Sequence, residues 1–213
     1  MKYQALLFDF DGTLLNTNEL ILQSFHHVLD AKFPGQYQLA DCAKFIGPSL
    51  NQTFDELAPN ETAQLIASYR KFNEENHDAL ITQYPHVLEV LTELKKMGIK
   101  LAIVSTKRND MIERGLQLLG ASDLFDVKIG TDDVQHVKPN PEPVQLALKK
   151  LAVAKEHALM IGDNSHDIEA GNNAGVDSAG VAWALKGESY LRQFNPTYIV
   201  QDMRDFIALA KGQ

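Results

Sequence analysis

Three things are scarce in this sequence: cysteine, positive charge and long apolar runs. Cys42 is the only cysteine among 213 residues, which excludes an intramolecular disulfide and a cysteine-based zinc site and fits a reducing compartment. The formal charge of −8 is unsuited to a protein that binds nucleic acid through its phosphates. No apolar run approaches the roughly 20 residues of a membrane span, and MKYQALLFDFDG does not have the pattern of a secretory leader. We expect a cytoplasmic protein that binds neither nucleic acid nor membrane, and a monomer.

The residues that are abundant are those of a globular protein, with 45% hydrophobic and 23% charged. From Tyr84 onward, helical and strand patterns alternate. The helix predicted over 109–119, for example, stops at Gly120 and is followed by the strand pattern FDVKIGT. Strands that alternate with helices predict a parallel, doubly wound sheet of the Rossmann-like α/β class, covered by helices on both faces.

One long segment, residues 16–82, interrupts this alternation directly after the first predicted strand, Ala5–Phe10. It carries almost only helical signals, and we predict three helices and no strand in it. The predicted organisation is therefore an α/β core, residues 1–15 and 83–213, with a small all-helical domain inserted after the first strand. Because ligands of open parallel sheets bind at the carboxyl ends of the strands, this insertion is expected to act as a lid.

Polar and charged side chains follow four of the predicted core strands. Each alone has an ordinary interpretation, since acidic residues and serine are common in turns and a single lysine is most often solvated. Together we expect them to meet at one edge of the sheet: Asp9 and Asp11 at the end of the first strand, Ser105 and Thr106 at the end of the second, Lys138 before the helix that follows the third, and Asp163 and Asp167 at the end of the fourth.

The two carboxylates that end the first strand need a partner, because burying an unpaired carboxylate is costly. The alternative is a strand that simply ends in acidic turn residues. Carboxylates crowded together repel one another unless a hard divalent cation lies among them, and an oxygen-only set suits Mg²⁺ better than zinc. Ser105 and Lys138 are suited to hold the oxygens of a phosphoryl group. One aspartate beside the metal can act as nucleophile while another transfers protons.

Four motifs together resemble those of the haloacid-dehalogenase-like phosphatases. In order they are DFDGT, the serine after the second core strand, the lysine of VKPNPEP, and GDNSHD. The resemblance spans nearly the whole chain and includes the helical insertion, which is the cap of that family. It implies Asp9 as nucleophile and Asp11 as general acid, then base. It further implies that Ser105 holds the phosphoryl oxygens and that Lys138 neutralises the charge beside them.

The same resemblance implies a metal and contacts with a small phosphorylated substrate. Mg²⁺ would be held by Asp9, the backbone carbonyl of Asp11, and Asp163, with Asp167 acting directly or through water. Residues beside these motifs are candidates for binding the substrate: Gly12 and Thr13 in DFDGT, and Thr106 and Lys107 after the second core strand.

Within the capped branch of the family, the sequence resembles the bacterial inorganic pyrophosphatases. The likeness rests on DGTLLNTNELI, FIGPSL, YRKFNEENHD, DDVQHVKPNPEP and GVAWALKG; in the first of these, Asn16 stands where most capped relatives have Asp. This resemblance implies hydrolysis of pyrophosphate. Three alternatives stay open: a phosphatase of phosphoglycolate or another small ester, a mutase of the β-phosphoglucomutase type, and a phosphate-binding protein without activity.

The helical insertion offers few basic groups for a second phosphate. It has nine acidic and four basic residues, so the adjacent Arg70 and Lys71 are candidates to grip the leaving phosphate, with help from Lys107. The alternative is that both lie on a solvated helix face. Gly47 and Ser49, in FIGPSL, are candidates for substrate specificity, and their ordinary interpretation is a turn between helices.

Overall fold

The structure, a computed structural model, describes all 213 residues and contains eight strands and nine α-helices. The strands are β1 (Ala5–Phe8), β2 (Leu15–Asn16), β3 (Thr82–Gln83), β4 (Lys100–Val104), β5 (Val127–Ile129), β6 (Ala158–Gly162), β7 (Asp177–Val181) and β8 (Tyr198–Val200). The helices are α1 (Asn18–Lys32), α2 (Leu50–Leu57), α3 (Thr62–Leu80), α4 (Val87–Lys96), α5 (Asn109–Leu119), α6 (Glu142–Leu151), α7 (Ser165–Ala174), α8 (Glu188–Leu191) and α9 (Asp205–Lys211). None of these helices combines the length and the apolar character needed to cross a membrane.

The chain divides into two compact units. The first, the core unit, contains Met1–Leu15 and Gln83–Gln213, and the second, the cap unit, contains Asn16–Thr82. The two-residue strands β2 and β3 pair with each other at the places where the chain passes from one unit to the other.

Six strands of the core unit form one parallel sheet in the order β5-β4-β1-β6-β7-β8. β1 lies between β4 and β6, with Phe8 in register with Ile103 on one side and Ile161 on the other. The chain builds outward from β1 through β4 and β5, then returns to the opposite side of β1 for the last three strands. The predicted Rossmann-like, doubly wound fold is therefore confirmed. In such a sheet, ligands bind at the carboxyl ends of the strands where the winding reverses.

Both faces of this sheet are buried, as the apolar runs of its central strands require. On one face, Leu7 of β1 and Met160 of β6 belong to a core that also contains Val144 of α6. On the other face, the Phe8 ring meets the Phe206 ring of α9 edge-on, with 5.5 Å between their centroids. This packing fixes where each strand ends, and so where the side chains that follow it lie.

The cap unit is helical and has a hydrophobic core of its own. α3 packs against both α1 and α2, and the Phe25 ring lies 5.8 Å from that of Phe54 and 4.8 Å from that of Tyr69. The three predicted helices are present. A 3-10 helix at Leu39–Phe45 was not predicted, because a short run without four-residue hydrogen bonds has no clear helical period.

Some predicted boundaries were wrong. β1 ends at Phe8 instead of Phe10, because the N–H groups of Leu14 and Leu15 donate to the Phe10 carbonyl and turn the chain there. The segment 16–82 was predicted to lack strands, yet its end residues belong to β2 and β3. By contrast, α5 begins and ends at the predicted residues, and Gly120 closes it with a φ of 71°.

Candidate active site

A buried lysine joins side chains from three neighbouring parts of the sheet. Lys138 Nζ lies 2.9 Å from Asp9 Oδ1, after β1, and 2.5 Å from Asp167 Oδ1, in the first turn of α7. It also donates a hydrogen bond of 2.8 Å to the carbonyl of Val104, the last residue of β4. Burial opposes its charged form, but the carboxylates of Asp167 and Asp9 outweigh burial and raise the pKa of Lys138 above its ordinary value. Lys138 is therefore a fixed cation at the carboxyl ends of β1 and β4.

Asp163 follows β6 and is packed against the turn that follows β1. Thr13 Oγ1 donates a 3.3 Å hydrogen bond to Asp163 Oδ1. Gly12 has a φ of 80°, and a Cβ atom placed on it would lie only 2.4 Å from Asp163 Oδ2. A larger residue than glycine would therefore push against the Asp163 carboxylate.

The spacing in GDNSHD places a second carboxylate beside the first. α7 begins at Ser165, and Asp167 Oδ2 accepts a 3.0 Å hydrogen bond from the Asn164 N–H, which closes the first helical turn. This bond aims the other oxygen of Asp167 at Lys138. Asp167 is therefore held by its own helix terminus and by an ion pair.

Three carboxylates meet at this point with little water around them. Oxygens of Asp9, Asp163 and Asp167 lie within 4.8 Å of one another, and all three residues are buried. Burial raises the pKa of Asp9 to about 6; Lys138 pulls it down, while Asp167 and Asp11 add to the rise. Burial, followed by repulsion from Asp167 and Asp9, raises the pKa of Asp163 well above its ordinary value. The single charge of Lys138 does not balance this group.

This donor set fits a hard divalent cation. The carboxylate oxygens converge and are buried, and burial together with repulsion from neighbouring carboxylates raises the pKa of Asp9 and of Asp163. Oxygen ligands without cysteine or histidine are those of Mg²⁺ and similar ions. The acidic group can therefore hold a divalent metal.

The carboxylate of Asp11 pairs with a different cation from the one that pairs with Asp9. Lys107 Nζ lies 2.8 Å from Asp11 Oδ1 and 3.1 Å from Asp11 Oδ2. The side chain of Lys107 is 11% exposed and that of Asp11 is 22% exposed. The two carboxylates of DFDGT thus pair with different lysines, Asp9 with Lys138 and Asp11 with Lys107.

Ser105 and Thr106 form the turn between β4 and α5. Ser105 is buried, its N–H donates to the carbonyl of Ile129 at 2.9 Å, and its Oγ accepts the N–H of Lys107 at 3.3 Å. Thr106, which stands between Ser105 and Lys107 in the sequence, is partly buried. The turn is therefore anchored to β5 at the carboxyl end of the sheet.

The remaining candidates for substrate binding lie in the cap unit. Arg70 and Lys71 are exposed on α3. Ser49 caps α2, because its Oγ accepts the Gln52 N–H at 3.2 Å while Gln52 Oε1 accepts the Ser49 N–H at 3.1 Å. Gly47 precedes this cap with a φ of 116°. Ser49 thus has a structural role, and the roles of these four residues toward a substrate stay predictions.

Two contacts of the site were not predicted from the sequence. One is the pairing of Lys107 with Asp11. The other is made by Trp183, which the sequence suggests as a packing residue near the rim of the site. Trp183 lies in the turn after β7, its Nε1 donates a 3.2 Å hydrogen bond to the carbonyl of Thr13, and its ring lies 6.0 Å from that of Tyr84. The stretch GVAWALKG places Trp183 at the carboxyl end of a strand, which was the available signal, but spacing alone does not identify its partner.

Comparison with known proteins agrees with this geometry. The family model described as haloacid dehalogenase-like hydrolase matches residues 6–181. A protein named pyrophosphatase PpaX from Bacillus cereus (strain AH820) is 48% identical over 209 residues, which cover 98% of this chain and 97% of that protein. A protein of the same name from Bacillus anthracis (strain CDC 684 / NRRL 3495) matches to the same extent.

Solved structures with the same fold cover both units. A protein from Bacteroides fragilis, provisionally described as a haloacid dehalogenase-like hydrolase, is 30% identical with a TM-score of 0.90 and covers 96% of this chain and 100% of its own. A protein from Lactobacillus plantarum, provisionally described as a phosphoglycolate phosphatase, is 29% identical with a TM-score of 0.89 and covers 98% of this chain and 100% of its own.

Proposed function

This chain belongs to the haloacid dehalogenase-like hydrolase family and is a hydrolase of phosphate bonds, and within that activity we propose that it hydrolyses inorganic pyrophosphate. The observation that carries the proposal is the 48% identity, over 98% of this chain, to a protein named pyrophosphatase PpaX. The alignment includes both the core unit and the cap unit, so the likeness is not limited to the parts that all family members need.

We assign the first chemical step to Asp9 and Asp11. An oxygen of Asp9 forms a bond to one phosphorus of pyrophosphate while the bond from that phosphorus to the bridging oxygen breaks. Asp11 gives a proton to the departing phosphate. The raised pKa of Asp9, about 6, still lies below neutral pH, so Asp9 is available as a carboxylate. The product of this step is an aspartyl-phosphate on Asp9.

The second step returns both aspartates to their starting state. A water molecule gives a proton to Asp11 as its oxygen bonds to phosphorus, and the bond between phosphorus and Asp9 breaks. One water is consumed and two phosphates are released in each cycle. Asp11 therefore acts as acid in the first step and as base in the second.

The other core residues hold the phosphoryl group as its charge redistributes. Lys138 lies beside Asp9, and the Ser105 hydroxyl and the turn at Gly12 and Thr13 lie at the same edge of the sheet. Bound Mg²⁺ would supply positive charge to the phosphoryl oxygens from a site made by Asp9, Asp163 and the backbone carbonyl of Asp11, with Asp167 directly or through water. These groups stabilise charge that develops in the transition state.

We further propose that the cap unit contributes Arg70 or Lys71 to the leaving phosphate. Both are exposed cations in a unit that has nine acidic and four basic residues. Replacing each by alanine is expected to raise KM for pyrophosphate, because an ionic contact with the second phosphate is lost. Lys44→Ala, which removes a cation lying over the Tyr37 ring of the same unit, is the matched control and is expected to leave KM unchanged. Unchanged KM in both test variants would remove these residues from the site.

Phosphoglycolate is the second candidate substrate. It is favoured by the structural likeness to the Lactobacillus plantarum protein provisionally described as a phosphoglycolate phosphatase, at 29% identity. The core residues do not discriminate between the two substrates, because the chemistry at the transferred phosphorus is the same for both.

Phosphate release by the purified protein with Mg²⁺ separates these candidates. We expect kcat/KM for pyrophosphate to exceed that for phosphoglycolate and for a panel of sugar phosphates by about tenfold or more, a difference of about 1.4 kcal/mol. Asp9→Asn should abolish turnover of every substrate. A preference for an ester would overturn the pyrophosphate assignment and keep the phosphatase, and no turnover that depends on Asp9 would favour a phosphate-binding protein.

A further inference from the structure

Lys107 places its ammonium on the side chain of Asp11. The distances of 2.8 and 3.1 Å to the two oxygens mean that the cation spans the whole carboxylate. Only 11% of the Lys107 side chain is exposed. Charge interactions there are screened less than at the protein surface. The pair is therefore able to act strongly on a bound anion.

The loop after β4 fixes the position of this ammonium. The main chain of Lys107 is held at both polar groups, since its N–H donates to Ser105 Oγ at 3.3 Å and its carbonyl accepts the N–H of Thr131 at 3.0 Å. Its Nζ also lies 5.9 Å from the centre of the Phe10 ring. A lysine restrained in this way loses little further freedom when it meets a substrate.

We propose that Lys107 binds the leaving group and selects substrates whose leaving group is anionic. The proposal rests on the proposed function, in which Asp11 protonates the leaving oxygen. An acid that protonates this oxygen must come within hydrogen-bond distance of it. An ammonium that touches the same acid therefore lies on the leaving side of the phosphorus atom, where the second phosphate of pyrophosphate has charged oxygens and a simple alcohol has none.

The charges of the site explain why a second lysine is needed there. Lys138 is already paired with Asp9 and Asp167, on the side of the nucleophile. Because Asp11 carries a proton before the first step, the three other carboxylates of the site are balanced by Lys138 and one divalent cation. The charge of Lys107 is then left to meet an anionic leaving group, and without Lys107 no ammonium would lie beside Asp11 on the leaving side.

The test compares two substrates whose leaving groups are similarly good but differ in charge. p-Nitrophenol is about as acidic as the dihydrogen phosphate ion, so p-nitrophenyl phosphate matches pyrophosphate in leaving-group quality and lacks its charged oxygens. In Lys107→Met, we expect kcat/KM for pyrophosphate to fall about 10- to 100-fold more than kcat/KM for p-nitrophenyl phosphate, as for the loss of a charge-assisted hydrogen bond.

Arg108→Met is the matched control, since it removes the cation next to Lys107 in the sequence. Arg108 pairs with Asp110 at 2.7 Å, and that pair is more exposed, at 30% and 63% of the two side chains. We expect this variant to change the ratio of the two kcat/KM values by less than about threefold. Thermal unfolding of both variants checks that they are folded, and Lys107→Gln replaces Lys107→Met if the latter is not.

A second readout does not require turnover. Isothermal titration calorimetry should show that pyrophosphate binds Asp9→Asn about tenfold more tightly than it binds Asp9→Asn with Lys107→Met. Equal losses for pyrophosphate and p-nitrophenyl phosphate would mean that Lys107 only positions Asp11 and would overturn the proposal, as would equal binding in the calorimetric pair.

Failure of the proposed function would be seen separately. If the unchanged protein prefers phosphoglycolate to pyrophosphate, the pyrophosphatase assignment is wrong, while the role of Lys107 is decided by calorimetry with phosphoglycolate, whose leaving group carries a carboxylate, on the same two variants. Tighter binding to Asp9→Asn than to Asp9→Asn with Lys107→Met would support the role of Lys107, and equal binding would overturn it.

Discussion

The ammonium of Lys138 lies 2.9 Å from the carboxylate of Asp9, and both groups are buried at the centre of the site. The same ammonium also serves Asp167, at 2.5 Å. One cation is therefore shared between two carboxylates, and Asp163 beside them receives a hydroxyl hydrogen bond from Thr13. This shortage of positive charge is the physical reason to expect a divalent metal.

Replacing Lys138 by methionine is expected to damage both stability and activity. Asp9 and Asp167 would lose their buried partner, and breaking such a pair costs about 3 kcal/mol or more of the free energy of unfolding. We expect kcat to fall about 100-fold or more, because the charge beside the phosphoryl group is also lost. Chemical denaturation and phosphate release measure the two effects.

Lys128→Met is the control for this variant. It breaks the ion pair of Lys128 with Glu113, whose side chains are 31% and 40% exposed, and should change the free energy of unfolding by less than about 1 kcal/mol. Equal effects of the two substitutions would contradict the central place given to Lys138.

The contribution of Asp9 to the stability of the metal-free protein should fall as the pH rises from about 4 to about 6. The pKa of Asp9 is raised to about 6 in the folded protein, from a reference value of 3.8. A raised pKa favours folding only while the group is protonated, so this contribution is complete at low pH and is lost above the folded pKa. It amounts to about 3 kcal/mol relative to Asp9→Asn.

Denaturation of the metal-free protein and of Asp9→Asn at several pH values tests this difference. Mg²⁺ competes with protons for the same oxygens, so its stabilising effect on the unchanged protein should grow over the same pH range. A constant difference between the two proteins from pH 4 to pH 7 would contradict the assignment of the raised pKa to Asp9.

Gly12→Ala should disturb Asp163 as well as strain the backbone. Gly12 and Gly98 both have a φ of 80°, but an added Cβ would lie 2.4 Å from Asp163 Oδ2 at Gly12 and would meet nothing within 4 Å at Gly98. Both alanine variants should lose about 1–2 kcal/mol of stability from the left-handed conformation. Only Gly12→Ala should also lose about tenfold or more in activity at limiting Mg²⁺. Similar activities of the two variants would show that contact with Asp163 does not matter.

Trp183→Phe removes a single hydrogen bond and keeps an aromatic ring. The carbonyl of Thr13 would lose the Nε1 donor at 3.2 Å, which is worth about 1 kcal/mol. Because Thr13 belongs to the turn that carries Asp11, we expect kcat to fall about fivefold while KM for pyrophosphate stays within about twofold. A changed KM with an unchanged kcat would place Trp183 outside this role.

Much of the fold was predictable because local signals and tertiary packing agree. α5 was placed correctly since its apolar residues have helical spacing and Gly120 provides the left-handed residue that ends it. The end of β1 was predicted two residues too late. Phe10 lies in a turn, but it is apolar and fully buried, as a residue of a central strand would be. Burial alone does not distinguish a strand from a buried turn.

The site was predictable only in outline. Strand ends indicate which side chains share an edge of a parallel sheet, and so place Asp9 and Asp163 together. Strand ends do not indicate which lysine pairs with which aspartate. Lys107 and Asp11 are 96 positions apart in the sequence, and no local sequence pattern connects residues so far apart. The capping role of Ser49 was likewise hidden, because the same serine pattern fits a cap or a contact with substrate.

The most direct test of the account is whether Asp9 becomes phosphorylated during turnover. The protein would be mixed with Mg²⁺ and radiolabelled pyrophosphate, quenched in acid within a single turnover, and digested for peptide mapping. We predict label that is stable in acid, is released by hydroxylamine and maps to the peptide containing Asp9. Full turnover without such label, or label on another residue, would contradict the account.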